Sequence, residues 1–144
     1  MRKNIYEILE AFERAENKVD RLYVLHTNDS LALRAVLQNT FHPNIQWFIK
    51  DAKEIPIFKP TYAPAGLGFG TLATELRKFY LWREGNPNLS PKLTVEKRKT
   101  LLIETLELME PKEADVLLRM MLKDLKIKHL TYDLVKEAWS DLLP

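Results

Sequence analysis

Apolar residues recur every three or four positions along most of the chain, which is the spacing of amphipathic helices. The first such segment follows Asn4 and Glu7, whose separation is that of an N-cap and its reciprocal carboxylate. We therefore expect a first helix that ends near Glu16. A second helix should end before His26, and Asp29 or Ser30 should cap a third.

Later parts of the chain repeat this pattern after turn residues. Pro43 and Asn44 predict a short helix through Ile49. Further helices are expected to begin at a capping residue or at a first-turn proline, namely at Thr71, Thr94, Pro111 and Thr131. Every tryptophan lies on the apolar stripe of a predicted helix, so core packing is expected for Trp47, Trp82 and Trp139.

The chain shows no hairpin signal and no convincing alternation of apolar and polar residues. We therefore predict an all-α fold, a single compact domain of about seven or eight helices spanning residues 1–144. Residues 55–70 contain prolines and glycines that no regular helix accommodates, so this segment should be a long loop inside the domain. Its end, AGLGFG, favours either a flexible turn or a loop that contacts phosphate.

Composition removes several classes of function. The chain has no cysteine, which excludes disulfides and thiolate metal sites, and its histidines are too far apart in sequence to suggest a shared metal. No run reaches membrane-spanning length, so we expect a soluble protein of the cytoplasm without a membrane partner. No catalytic constellation and no cofactor motif is found, and the prediction is a protein that is not an enzyme.

The net charge is only +2, but the basic residues are clustered. Residues 119–129 carry a local charge of +3 from Arg119, Lys123, Lys126 and Lys128 against Asp124. Residues 92–99 carry another +3 from Lys92, Lys97, Arg98 and Lys99 against Glu96. The first cluster could hold phosphates, together with His129 and the amides after Thr131. It could equally complement a helix dipole and pair with Asp115 or Asp124.

The segment LLRMMLKDLKIKHLTYDLVKEAW resembles the last helices of the N-terminal DNA-binding domain of ATP-dependent DNA ligases. Those ligases join two helices by a run of the type Arg-Asp-Leu-Arg-Ile-Gly, and here residues 123–128 read KDLKIK. LALRAVLQNTFHPNIQWFIKDA and FGTLATELRKFY are similar to earlier helices of the phage-type enzymes. The likeness spans about residues 29–144, in the same order.

The resemblance implies a helical domain that grips the backbone of duplex DNA without reading its sequence. The adenylylated lysine of ligases lies in a Lys-x-Asp-Gly motif, which this sequence lacks, so we expect the DNA-binding domain standing alone. Its expected role is that of an accessory in DNA replication or repair, in the host cytoplasm if it is of phage origin. The expected DNA contacts are Arg119, Lys123, Lys126, Lys128, His129, Thr131, Lys97, Arg98 and Lys99.

A scaffold of this kind can also change its task. The alternative is a protein-interaction adaptor that binds a replication or transcription protein, such as a replisome, sliding-clamp or polymerase component. A continuous basic face would favour DNA, whereas basic patches broken by acids and an exposed apolar patch would favour a protein partner.

Overall fold

A computed structural model of the chain describes residues 3–60, 70–87 and 89–144. Its helices are α1 (Ile5–Arg14), α2 (Lys18–Thr27), α3 (Leu31–Phe41), α4 (Leu72–Glu75), α5 (Val95–Leu108), α6 (Pro111–Met121) and α7 (Tyr132–Ala138). Short 3-10 helices occupy Ala52–Glu54 and Leu76–Trp82, the second directly after α4. In the part of the chain described, extended pairing is confined to two isolated bridges. The all-α prediction is confirmed.

Most helix starts lie where the capping residues predict. Asn4 and Glu7 form a reciprocal capping box at α1, and the hydroxyl of Ser30 accepts the Leu33 N–H at α3. Thr71, Thr94 and Thr131 cap the next helices in the same way, and Pro111 opens α6. The side-chain oxygens satisfy N–H groups that have no partner within the helix, so the starts are fixed locally.

The short helix predicted after Pro43 is wrong. Trp47 instead pairs in an isolated bridge with Arg83, since Phe48 N–H donates to the Trp82 carbonyl (2.9 Å) and Glu84 N–H to the Gln46 carbonyl (2.8 Å). The apolar residues of this segment therefore lie on extended backbone that is paired with the end of the 3-10 helix. Of the predicted loop 55–70, residues 61–69 lie outside the described residues.

The core is built where α3 and α6 cross, with α1, α4 and α5 packed around them. Trp47, Trp82 and Trp139 are all buried, as predicted. A connection of two residues joins α5 to α6, so these contacting helices run antiparallel. The beginning of α5 therefore lies at the same end of the domain as the end of α6.

One buried carboxylate ties three helices together. Glu113 of α6 is fully buried and accepts N–H groups from Ile5 (3.4 Å), Tyr6 (2.9 Å) and Leu72 (3.2 Å), which begin α1 and α4. Burial raises the pKa of this carboxyl, and the three backbone donors oppose that rise. Glu113 is thus a shared cap for two helices that are distant in sequence.

Candidate nucleic-acid interface

The connection between α6 and α7, residues 122–131, is called the basic turn here. Its backbone enters the left-handed region three times, at Lys123 (φ 64°), Lys126 (φ 55°) and His129 (φ 70°). Residues with a side chain adopt this conformation at a cost of about 1 kcal/mol each, so the surroundings must enforce it. Buried Leu125 lies between the first two of these residues and buried Leu130 directly follows the third, so the basic turn is anchored at both places.

Two carboxylates hold the backbone of the basic turn. The Asp124 side chain accepts the Lys126 N–H (2.9 Å), and Glu13 of α1 accepts the Lys128 N–H (3.0 Å). Both acids therefore bind main-chain donors. The position that resembles the ligase glycine is Lys128, and its φ is not positive. A glycine is not needed there for conformational reasons.

Lys123 faces the interior, which corrects the expectation that it contacts DNA. Its Nζ donates to the carbonyls of Asn39 (3.1 Å), His42 (2.7 Å) and Ile45 (2.8 Å), which lie at and just beyond the end of α3. Burial lowers the pKa of Lys123 to about 8. An ammonium with all three donors occupied by carbonyls has none left for a phosphate. Lys123 joins the end of α6 to the turn after α3.

Arg98 requires the same correction. Its guanidinium donates to the carbonyls of Leu81 (2.6 Å) and Arg83 (3.0 Å) and lies over the Phe48 ring at 4.8 Å. The residue is only 9% exposed, although it was expected on a basic surface. Arg98 holds the start of α5 against the end of the 3-10 helix, so its charge serves the fold.

Arg119 and Thr131 are partly committed. The Arg119 guanidinium pairs with Asp115 one helical turn earlier (3.0 Å) and also donates to the Leu125 carbonyl (3.4 Å). The Thr131 hydroxyl accepts the Leu134 N–H as the cap of α7. Arg119 remains about one-third exposed, and it can contact a ligand only while its guanidinium is also paired with Asp115.

Three side chains of the basic turn remain available. Lys126, Lys128 and His129 are exposed, and within the described residues none of their side chains forms an ion pair or hydrogen bond. Lys97 is exposed on the first turn of α5, and Lys99 is half-exposed. Because α5 and α6 are antiparallel, these two lysines lie at the end of the hairpin from which the basic turn begins.

Arg83, which lies near the beginning of α5 through its contact with Arg98, was not predicted from the sequence as a site residue. Arg83 directly follows the buried Trp82, and its guanidinium lies over the ring of Trp47 at 5.7 Å. No motif marks it, because the two residues are far apart in sequence and meet only through the bridge. The apolar strip Ile45, Trp47, Ile49 was a usable signal, since its alternation suits an extended segment better than a helix.

The described residues contain no group of three or more His, Asp or Glu side chains arranged to hold a metal ion. No helix among them has the length and apolar character needed to cross a membrane.

A family-wide sequence profile matches residues 8–129, and the family is described as a family of unknown function (DUF6433). The comparison with curated proteins found no match.

Proposed function

Because the chain belongs to DUF6433, a family of unknown function, we propose a function from its own surface: sequence-independent binding of duplex DNA by a non-catalytic module. The observation that carries this proposal is a set of three exposed side chains on the basic turn that form no ion pair or hydrogen bond with any described residue, namely Lys126, Lys128 and His129. The proposed role is that of an accessory in DNA replication or repair.

Physical chemistry supports contact with the DNA backbone. A lysine ammonium on a flexible stem is a point charge that meets phosphate oxygens without selecting a base. Lys126, Lys128 and His129 are exposed and lie between the buried residues Leu125 and Leu130, so their charged side chains belong to a segment that is anchored at both ends. Lys97 and Lys99 extend the basic surface at the same end of the α5–α6 hairpin.

The ligase resemblance supports the same surface, since the run KDLKIK corresponds to the ligase connection between two helices. The resemblance supports the basic turn alone, in which Lys126 and Lys128 are the proposed phosphate contacts. Lys123 and Arg98 are no longer proposed as contacts, because their donors bind carbonyl groups of the protein.

The test is a fluorescence-anisotropy titration with nicked, intact and single-stranded DNA over a range of salt concentrations. The double variant Lys126→Ala/Lys128→Ala should weaken duplex binding for every sequence. It should also flatten the plot of log affinity against log salt by roughly 2 units, if each lysine neutralises one phosphate. Alanine keeps the Cβ atom, so the backbone strain at position 126 is unchanged.

The matched control is Lys53→Ala/Lys59→Ala, which removes the same charge elsewhere. The N–H of Lys59 donates to Glu107 near the far end of α5 (2.7 Å), away from the basic turn. The control should keep the wild-type salt slope. Equal slopes for all three proteins, or a wild type that does not bind duplex, would contradict the proposal.

A second candidate function is the adaptor, which a different surface favours. Val19 and Tyr23 lie one turn apart on α2 and are 75% and 68% exposed, an apolar pair of the kind that contacts proteins. Acids also interrupt the basic surface, with Glu13 at Lys128 and Asp115 at Arg119. If the wild type fails to bind duplex, the adaptor becomes the better proposal.

A further inference from the structure

Arg83 is a cation without a counter-charge in the part of the chain that the structure describes. Within that part its Nε is buried without a hydrogen-bond partner, and no acid forms an ion pair with its guanidinium. Burial lowers the pKa of the guanidinium, because desolvation disfavours its charged form. The buried Nε is not accessible to a ligand, so an anion would contact the Nη atoms and offset the charge of this half-buried cation.

The side chain is nevertheless held in one place. The backbone on both sides of Arg83 is paired with residues 46–48, and Arg98 donates to the Arg83 carbonyl (3.0 Å). The guanidinium rests on the indole of Trp47, a cation–π contact with a fully buried ring. A long arginine normally loses side-chain entropy when it binds a ligand. Here these contacts already restrict the side chain in the free protein, so less entropy is lost on binding.

A cavity of about 350 Å³ opens beside this guanidinium. Its other lining residues include Asn44, Gln46 and Tyr80. Glu84 also lines it but forms no ion pair with Arg83. The lining therefore includes an arginine and two amide residues, the donor types that bind oxyanions, and the Gln46 amide already donates one hydrogen bond to a backbone carbonyl (3.1 Å).

We propose that this cavity, with Arg83 on its wall, is a binding site for a phosphoryl group. Guanidinium groups bind phosphate oxygens through two parallel N–H donors, and the guanidinium carbon of Arg83 lies 5.7 Å from the centre of the Trp47 ring. The inference rests on the proposed function for the source of the phosphate, which is the DNA backbone. A free phosphate or nucleotide has the same chemistry, and the experiment separates these sources.

The experiment is a two-dimensional NMR titration of the full chain with inorganic phosphate and, separately, with a short duplex, at matched ionic strength. The reporters are the indole N–H of Trp47 and the amides of Gln46 and Glu84, which surround the guanidinium. In the wild type we expect saturable shifts at these reporters with at least one of the two probes. Shifts with duplex but not with phosphate identify DNA as the source, and shifts with phosphate alone identify a free ligand.

The variant Arg83→Gln should weaken the saturable binding by roughly tenfold or more, as expected for loss of a bidentate charged contact. Arg77→Gln is the charge-matched control and should bind like the wild type, because Arg77 is an exposed arginine of the 3-10 helix that Arg83 follows. Arg83→Lys keeps the charge and serves if the glutamine variant does not fold. It should bind more weakly than the wild type because it lacks the fork.

Three results would overturn the site: no reporter shifts with either probe, equal affinity in Arg83→Gln, or shifts that continue linearly without saturation. These outcomes are independent of the basic turn. If the wild type does not bind duplex, or if Lys126→Ala/Lys128→Ala keeps the wild-type salt slope, the proposed function is contradicted, while saturable phosphate shifts at the Arg83 reporters still support the site. If the double variant binds duplex more weakly but the Arg83 reporters show no saturable shifts, the site is overturned and the proposed function stands.

Discussion

Glu113→Gln is a nearly isosteric change that tests how the domain is held together. The carboxylate presents two acceptor oxygens, one to Ile5 and Leu72 and the other to Tyr6. A glutamine presents one acceptor oxygen and one NH₂ donor. If the glutamine oxygen accepts the N–H groups of Ile5 and Leu72, its NH₂ group faces the Tyr6 N–H. Two donors then face each other at a position where the wild type has a hydrogen bond of 2.9 Å.

The magnitude follows from that mismatch. One buried N–H loses a charged acceptor, which costs about 1 to 3 kcal/mol, and removal of the buried charge offsets part of this. We expect the free energy of unfolding to fall by about 2 kcal/mol, or a melting temperature lower by roughly 4 to 8 °C for a domain of this size. Glu113→Ala leaves all three N–H groups unpaired and should be worse, at about 4 kcal/mol.

Urea denaturation at neutral pH, followed by tryptophan fluorescence and far-UV circular dichroism, measures these differences. Glu104→Gln is the matched control, since Glu104 is exposed on α5 and should leave stability unchanged within about 0.5 kcal/mol. A Glu113→Gln protein as stable as the wild type would refute the account of Glu113 as a shared cap. So would a ranking in which alanine is tolerated better than glutamine.

Two further changes probe single contacts. A Cβ at Gly70 would overlap Leu108 Cδ1, the mobile end of a partly exposed side chain. Gly70→Ala should therefore cost about 1 kcal/mol in urea denaturation, and less in a Leu108→Ala background; an equal cost in both would contradict the overlap. Burial lowers the pKa of Lys123 to about 8 from 10.5, so between these values the unfolded chain binds more protons. The free energy of unfolding should thus rise with pH from 8 to 10.5 in the wild type and change less in Lys123→Met; parallel pH profiles would contradict this.

The sequence predicted the helix starts well because their causes are local. An N-cap such as Ser30 or Thr94 and the N–H group that it accepts lie three residues apart, so the spacing contains the whole interaction. Residues 45–49 failed for the opposite reason. Their partner is the segment 82–84, and pairing between distant segments leaves no mark on local spacing.

The basic residues show a second limit of sequence reasoning. Spacing places Arg119 and Lys123 on one helical face, but it does not say which acceptors lie across from that face. The acceptors of Lys123 are carbonyls about 80 residues earlier in the chain, exposed because α3 ends there. A lysine at a helix end and a lysine at a DNA surface therefore have the same sequence signature, and only the tertiary partner separates them.

The inward position of Lys123 also determines how the basic turn is held against the rest of the domain. The inward donors of Lys123 fix the first left-handed residue against the turn after α3, and that turn includes Asn44 and Ile45 of the Arg83 cavity. The exposed ammoniums of Lys126 and Lys128 follow within five residues of that anchor. A rigid base reduces the entropy lost when charged tips meet a ligand. If the basic turn binds DNA as proposed, the half-buried Lys123 should contribute by positioning the turn, without changing the salt slope, whereas Lys126 and Lys128 should change that slope.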